Sequence, residues 1–146
     1  MDHVELWEKA KALIREELAN VSYTTWIEQP LDVDAMRRAA ELLCGTHDYR
    51  AFCSLKKFKK STVRTVEEMN IEHLGKEIRI SYTGDGFLYH MVRILTGTLV
   101  EVGEGARKPE DMPAILMNMD RANAGKLMPP EGLTLECVEY EDNLKK

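Results

Sequence analysis

The N-terminal part of the chain has apolar residues at helical spacing. Over residues 4–19 they recur every three or four positions, at Leu6, Ala10, Leu13, Ile14 and Leu18. This period predicts an amphipathic helix. Ser22 is a typical N-cap for a second, short helix that runs through Ile27, and Pro30 ends this segment.

The middle of the chain changes from a helical period to strict alternation. A third helix is predicted from Asp32 or Asp34 to Gly45, followed by a polar and basic loop over residues 46–61. Residues 62–73 and 77–83 alternate between apolar and polar positions on either side of a short turn. This pattern predicts a β-hairpin.

The second half contains the longest apolar stretch. A glycine-rich turn leads into a predicted helix over residues 87–102, and a further helix over residues 109–119 has Pro109 at its first position. A loop over residues 120–131 precedes a final strand at 132–140. The whole pattern predicts an α+β fold, in which an antiparallel sheet made of the hairpin and the C-terminal strand is covered on one face by helices.

Composition places the chain among soluble globular proteins. Its 146 residues are 44% hydrophobic and 31% charged, as in one compact unit. The longest apolar run is shorter than the roughly 20 residues of a membrane span, and acidic residues follow Met1 where a signal peptide would be basic. We therefore expect a cytoplasmic protein without membrane contact. The cysteines and histidines lack the spacing of a disulfide framework or metal site.

One charge interrupts the long apolar helix. In the string GDGFLYHMVRILTGTLVEVGEG, residues 84–105, Arg93 lies in a stripe with Tyr89 and Gly97 at i−4 and i+4, away from the apolar face. A lone arginine on such a helix usually reaches to the surface. The helical period by itself does not exclude that interpretation.

The same string resembles the second domain of the bacterial tRNA pseudouridine synthase A family. GTHDYRAF and STVRTV before it and MPPEGLTLECVEY after it extend the resemblance over about residues 27–141. The resemblance implies an enzyme that isomerises uridine in tRNA without a cofactor, through a nucleophilic aspartate on a first domain. Arg93 matches the arginine that pairs with this aspartate, and Leu133 matches the apolar residue that packs against the target base.

The sequence departs from the family at two levels. Met128 and Pro130 stand where the family usually has alanines. The Arg-Thr-Asp-x-Gly-Val-His-Ala-like motif that carries the nucleophile, and the active-site tyrosine of the first domain, were not found in these 146 residues. Asp48, Asp85 and Asp120 lie in other sequence contexts, so none is assigned as nucleophile. The chain alone is therefore expected to be inactive.

Residues 2–28 resemble a different protein, the bacterial chromosomal replication initiator protein. The matching features are Leu6-Trp7, the helix over residues 13–18 and the string SYTTWI. The two resemblances meet at Trp26. We therefore predict an N-terminal helical segment at 1–28 and a synthase-like domain at 29–146, which implies a chimera or fusion.

A basic run gives the chain a second candidate site. Its net charge is −5, yet the ionisable residues that bear charge between positions 49 and 66 are all basic: Arg50, Lys56, Lys57, Lys59, Lys60 and Arg64. This run could contact the phosphates of tRNA, or it could be a solvated loop. Three functions stay open: an inactive synthase half, a weak RNA-binding module, and a structural chimera that dimerises by exchanging its N-terminal helices.

Overall fold

A five-stranded antiparallel sheet organises the protein. The computed structural model describes residues 18–139. The strand order is β2-β3-β4-β1-β5. The strands are β1 (Leu18–Trp26), β2 (Gly45–Asp48), β3 (Val63–Leu74), β4 (Glu77–Gly84) and β5 (Leu133–Glu139). The predicted α+β class, the antiparallel sheet, the hairpin and the C-terminal strand are confirmed. The sheet is larger than the predicted hairpin plus C-terminal strand, because β1 and β2 also belong to it, and β5 pairs with β1 instead of with the hairpin.

Between residues 18 and 139, three α-helices accompany the sheet: α1 (Val33–Leu43), α2 (Met91–Gly103) and α3 (Met112–Asn118). Asp32 caps α1, because its Oδ1 accepts a hydrogen bond from the backbone N–H of Ala35 at 3.0 Å. Single 3-10 turns lie at residues 50–52, 109–111, 121–123 and 130–132. None of the helices between residues 18 and 139 has the length and apolar character that crossing a bilayer requires.

The core lies between one face of the sheet and the helices. Along β4, Ile78, Ile80 and Tyr82 are buried, whereas the residues between them are partly exposed. Successive side chains of a strand point to opposite faces, so this alternation marks the covered face. Helices α1 and α2 pack together and against the sheet on that side. The prediction that helices cover one face holds.

The structure corrects the prediction for residues 22–27. They are not a helix, because residues 18–26 form β1, which pairs with β4 on one side and β5 on the other. The string VSYTTW is rich in β-branched and aromatic residues, and two neighbouring strands satisfy its backbone hydrogen bonds. The helix predicted over residues 4–19 lies outside the described residues except for its last two, Leu18 and Ala19, which begin β1.

The predicted domain boundary after residue 28 stays a prediction. It falls just beyond β1, whose partners β4 and β5 both lie on the far side of that boundary in sequence. The sheet therefore contains strands from both sides of the predicted boundary.

Two further element bounds differ from the prediction. The loop predicted over residues 46–61 is shorter, because β2 pairs with β3 and the side chains of Tyr49 and Phe52 are buried. The helix predicted from Phe87 begins only at Met91, since His90 has a left-handed backbone with φ of 64°. A residue with positive φ does not continue a right-handed helix, so residues 87–90 form a turn instead.

Candidate active-site cleft

Arg93 projects from α2 and is half-buried. Its Nε donates a hydrogen bond to the backbone carbonyl of Met128 at 2.6 Å, and the backbone N–H of Met128 donates to the carbonyl of Arg93 at 3.3 Å. Within residues 18–139, neither terminal nitrogen, Nη1 or Nη2, makes a hydrogen bond or an ion pair. One edge of the guanidinium is thus fixed, and the two nitrogens that could bind an oxyanion together have no partner among residues 18–139.

The loop that holds Arg93 lies directly on α2. We call residues 124–129 the wall loop. The backbone N–H of Gly125 donates to Thr98 Oγ1 at 2.9 Å, and that of Lys126 donates to Glu101 Oε2 at 3.2 Å. A Cβ atom at Gly97 would overlap the carbonyl oxygen of Lys126, so only glycine allows the loop this close. This contact explains why a glycine follows Arg93 one turn later on the same stripe.

Leu133 and Arg93 line the same cleft, which has a volume of about 200 Å³. Leu133 is the first residue of β5 and is 40% exposed. The remaining lining residues are mostly apolar: Val21, Phe87, Leu88, His90, Met91 and Val92. The cleft therefore combines apolar walls with one cation, an arrangement suited to the faces of a planar base beside an anion.

Tyr23 lies on β1 and supports the wall loop. The sequence analysis did not single it out. It is 2% exposed, stands opposite Leu133 in the sheet, and donates its hydroxyl hydrogen to the carbonyl of Pro129 at 2.6 Å. A Cβ atom at Gly132 would lie 2.7 Å from the Tyr23 ring, so the 3-10 turn at residues 130–132 packs closely on that ring. Burial raises the pKa of Tyr23, an effect that Arg93 opposes and Glu131 reinforces. Tyr23 therefore stays a neutral donor at neutral pH.

A second, basic depression adjoins the cleft. It has a volume of about 430 Å³, and we call it the basic groove. Four of the six predicted RNA-binding residues line it: Lys57, Lys59, Lys60 and Arg64. Phe87 and Leu88 line both the groove and the cleft, so the two depressions share a border.

The other two basic residues are not among those that line this groove. Lys56 is exposed but is not among the lining residues, and the guanidinium of Arg50 sits over the ring of Phe58 at 4.8 Å. Arg64 is held in the groove by hydrogen bonds from its Nη1 to the carbonyls of Ser61 and Val63, at 2.8 and 2.7 Å. The structure thus brings together a subset of the sequence-predicted residues.

The three aspartates considered in the sequence analysis have local structural roles. Asp48 accepts a hydrogen bond from the Thr62 hydroxyl at 2.6 Å, Asp85 accepts one from the backbone N–H of Thr65 at 2.9 Å, and Asp120 caps a 3-10 turn. Among the described residues no carboxylate lines the Arg93 cleft, and no group of three or more His, Cys, Asp or Glu side chains is arranged to hold a metal ion.

The geometry is that of an α+β domain with a cationic, apolar-walled cleft beside a basic groove. A family model for tRNA pseudouridine synthase matches residues 39–141. Because that match covers well over half of the chain, the chain belongs to the tRNA pseudouridine synthase family.

Several curated relatives carry the name tRNA pseudouridine synthase A. The protein from Brevibacillus brevis is 48% identical over 118 residues, which are 81% of this chain and 48% of the relative. The protein from Moorella thermoacetica is 47% identical over 118 residues, with the same two coverages. The chain spans about half the length of the curated relatives it matches.

One relative bears on the N-terminal segment. tRNA pseudouridine synthase A 1 from Bacillus cereus is 39% identical over 142 residues, which are 95% of this chain and 58% of the relative. An alignment of that extent reaches into residues 1–28. Similarity to the synthase family is therefore not confined to the residues after the predicted junction.

Proposed function

We propose that this chain forms the arginine-bearing side of a tRNA pseudouridine synthase active site, into which a uridine of tRNA enters. The observation that supports this most is that Arg93 and Leu133, distant in sequence, line one cleft. The free edge of the guanidinium offers a carboxylate a two-pronged partner, and the apolar side chains offer a uracil ring its two faces.

Catalysis would require a carboxylate nucleophile from outside the described residues. No acid of residues 18–139 lines the cleft, and the loss of a covalent nucleophile costs orders of magnitude in rate. We therefore propose that the 146-residue chain alone does not catalyse.

The test is tritium release from tRNA carrying 5-tritiated uridine, with the full-length Brevibacillus brevis relative as positive control. We expect release by the relative and background release by this chain. Turnover by this chain would contradict the proposed need for an external nucleophile.

Affinity for tRNA would come chiefly from the basic groove. Its four cations lie on an otherwise acidic chain, so binding is expected to be weak and to fall steeply with salt. The test is a titration of tRNA at two salt concentrations with the wild type and with a variant that has glutamine at Lys56, Lys57, Lys59 and Lys60. Equal affinity of the two proteins would reject the groove as the binding surface.

A second candidate function is a structural one for residues 1–17. They precede β1, which pairs with the edge strand β5, and Leu133 and Leu135 of β5 are exposed. We propose that this segment covers apolar surface, within one molecule or between two copies. Removal of residues 1–17, which leaves β1 intact, should then cause aggregation or a large drop in melting temperature. A monomeric truncated chain with unchanged melting would refute this role.

The origin of residues 1–28 admits two proposals. One is the joined initiator-like segment indicated by the sequence; the other is descent from the synthase, favoured by the Bacillus cereus alignment and by the pairing of β1. The gene's neighbourhood would tell a natural open reading frame from an engineered join.

A further inference from the structure

A pair of stacked rings lies where the cleft meets the basic groove. The rings of Tyr89 and His90 have centroids 3.7 Å apart and planes inclined by 26°. Tyr89 is 54% exposed although it is a large aromatic residue. His90 occupies one face of the Tyr89 ring, so the exposed surface includes the opposite face.

The backbone of this pair is held in place from both sides. The backbone N–H of Ser54 donates to the carbonyl of Tyr89 at 3.4 Å, and the Ser54 hydroxyl is hydrogen-bonded to His90 Nδ1 at 3.0 Å. The carbonyl of His90 accepts from Ile94 at 3.0 Å in the first turn of α2. A ring on such a support loses little conformational entropy when a ligand stacks on it.

One ring of the pair lines the basic groove and the other lines the cleft. Tyr89 lines the basic groove with Lys57, Lys59 and Lys60, and its neighbour His90 lines the cleft with Arg93. A positively charged groove beside an exposed aromatic ring is the combination that binds single-stranded nucleic acid. A nucleotide that leaves its stack to enter a cleft also exposes the face of the adjacent base.

We propose that Tyr89 stacks on an unpaired nucleobase of the bound RNA, adjacent to the base that enters the Arg93 cleft. The proposal rests on the proposed function, since it takes RNA as the ligand. The lysines of the groove bind the phosphates of the same strand, and the Tyr89 ring replaces the stacking contact that the neighbouring base loses. Tyr89 is on this view a binding residue that sets the register of the RNA.

The experiment uses the whole chain and a single-stranded RNA of about 15 nucleotides, long enough for one such site, with 2-aminopurine next to a central uridine. Tyr89→Ala should weaken binding by about 5- to 150-fold, the effect of losing one base stack. Tyr89→Phe and Tyr89→Trp should keep the affinity. Stacking should quench the 2-aminopurine fluorescence with the wild type and with these two variants, and not with Tyr89→Ala.

Trp26→Ala is the matched control. Trp26 is an aromatic residue with 61% exposure, and it pairs with Glu77, at the opposite end of β4 from the turn that precedes Tyr89. The Trp26→Ala variant should bind the RNA with the affinity of the wild type. Tyr89→Leu provides a second non-aromatic variant should the alanine variant fold poorly, and it should show the same loss.

The outcomes separate this inference from the proposed function. RNA binding that depends on the groove lysines but is unchanged in Tyr89→Ala and Tyr89→Leu would overturn the stacking role alone. No binding by the wild type would overturn the proposed function and the stacking role together. Loss of RNA affinity in Tyr89→Ala and Tyr89→Leu, with affinity retained in Tyr89→Phe, supports the stacking role.

Discussion

The wall loop holds Arg93, which lines the cleft, whereas the basic loop itself lines the basic groove, and the two loops are built differently. The wall loop, residues 124–129, is fixed to α2 and β1 through hydrogen bonds from Gly125 and Lys126 and to the carbonyls of Met128 and Pro129. In the basic loop, residues 53–61, the backbone of residues 55–60 makes no hydrogen bond to any other part of the chain that is described.

This difference corresponds to two physical tasks. A surface that holds a base in a defined place needs atoms whose positions are already determined, because misplacement by about 1 Å is costly for catalysis. A surface that attracts a polyanion needs charge close to solvent and tolerates movement. We therefore expect substitutions in the wall loop region to change folding stability, and substitutions in the basic loop to change RNA affinity.

The largest effect on stability should come from Gly97→Ala. Alanine favours a helix over glycine, but its Cβ would overlap the carbonyl of Lys126, so the wall loop must move away. We expect a loss of about 3 kcal/mol in the free energy of unfolding, measured by urea denaturation.

Gly75→Ala is the control for that substitution. Gly75 has φ of 63°, and a Cβ atom added there would meet no atom of the described residues within 4 Å. Its replacement should therefore cost only the left-handed backbone penalty of about 1–2 kcal/mol. A smaller loss for Gly97→Ala than for Gly75→Ala would show that the wall loop does not pack as described.

The next effect concerns RNA affinity and leaves stability unchanged. Replacing the groove residues Lys57, Lys59 and Lys60 by glutamine should lower the salt dependence of RNA binding by about one unit of slope for each lost phosphate contact. The melting temperature should stay the same, because these side chains are exposed. Lys56→Gln, outside the groove, is the matched control. Equal slopes for all three proteins would remove the distinction between the groove and the rest of the loop.

Alkaline pH should weaken the wall through Tyr23. Burial raises the folded-state pKa of Tyr23 above the ordinary value of 10.0, so above that pH the unfolded chain loses its proton first and becomes favoured. The contribution of the Tyr23 hydroxyl to the free energy of unfolding is fully present below pH 10. It falls as pH rises above 10, by up to about 1.4 kcal/mol per pH unit. Tyr23→Phe should lose less stability between pH 8 and pH 11 than the wild type, with Tyr89→Phe as control. Parallel pH profiles for the wild type and Tyr23→Phe would contradict this.

The smallest effect is expected for Arg93→Leu. Among the described residues Arg93 has no acidic partner, and the substitution removes one hydrogen bond to the carbonyl of Met128. We expect a loss of about 1 kcal/mol or less in thermal melts, partly offset by apolar contacts. A loss of several kcal/mol, the size expected for breaking a buried ion pair, would reveal an acidic partner within the chain.

Elements set by local pattern were predictable. Helix α1 has an apolar face and an aspartate cap, and the β3–β4 hairpin alternates around a glycine turn, so neighbouring residues specify both. The segment 18–26 was not predictable in the same way, because Ser22 looks like a helix cap and the pairing with β4 and β5 is invisible in the segment alone. Its β-branched and aromatic content was the available signal.

The candidate site divides in the same manner. The family motifs single out Arg93 and Leu133, and the distribution of charge singles out the basic run, since these are properties of residue identity and order. The sequence could not show that only Lys57, Lys59, Lys60 and Arg64 share one groove, nor that Tyr23 supports the wall, because both depend on where distant segments meet.

By itself, the sequence determined which residues can carry charge, stack or break a helix, and where local periodicity makes a helix or a hairpin. Tertiary structure decided that residues 18–26 are a central strand and that Gly97 lets the wall loop reach Arg93. The physical reason is the distance along the chain over which each interaction acts. Capping and periodicity act over a few residues, whereas strand pairing and the position of a guanidinium depend on contacts between residues far apart in the chain, such as Arg93 with Met128 and Tyr23 with Pro129.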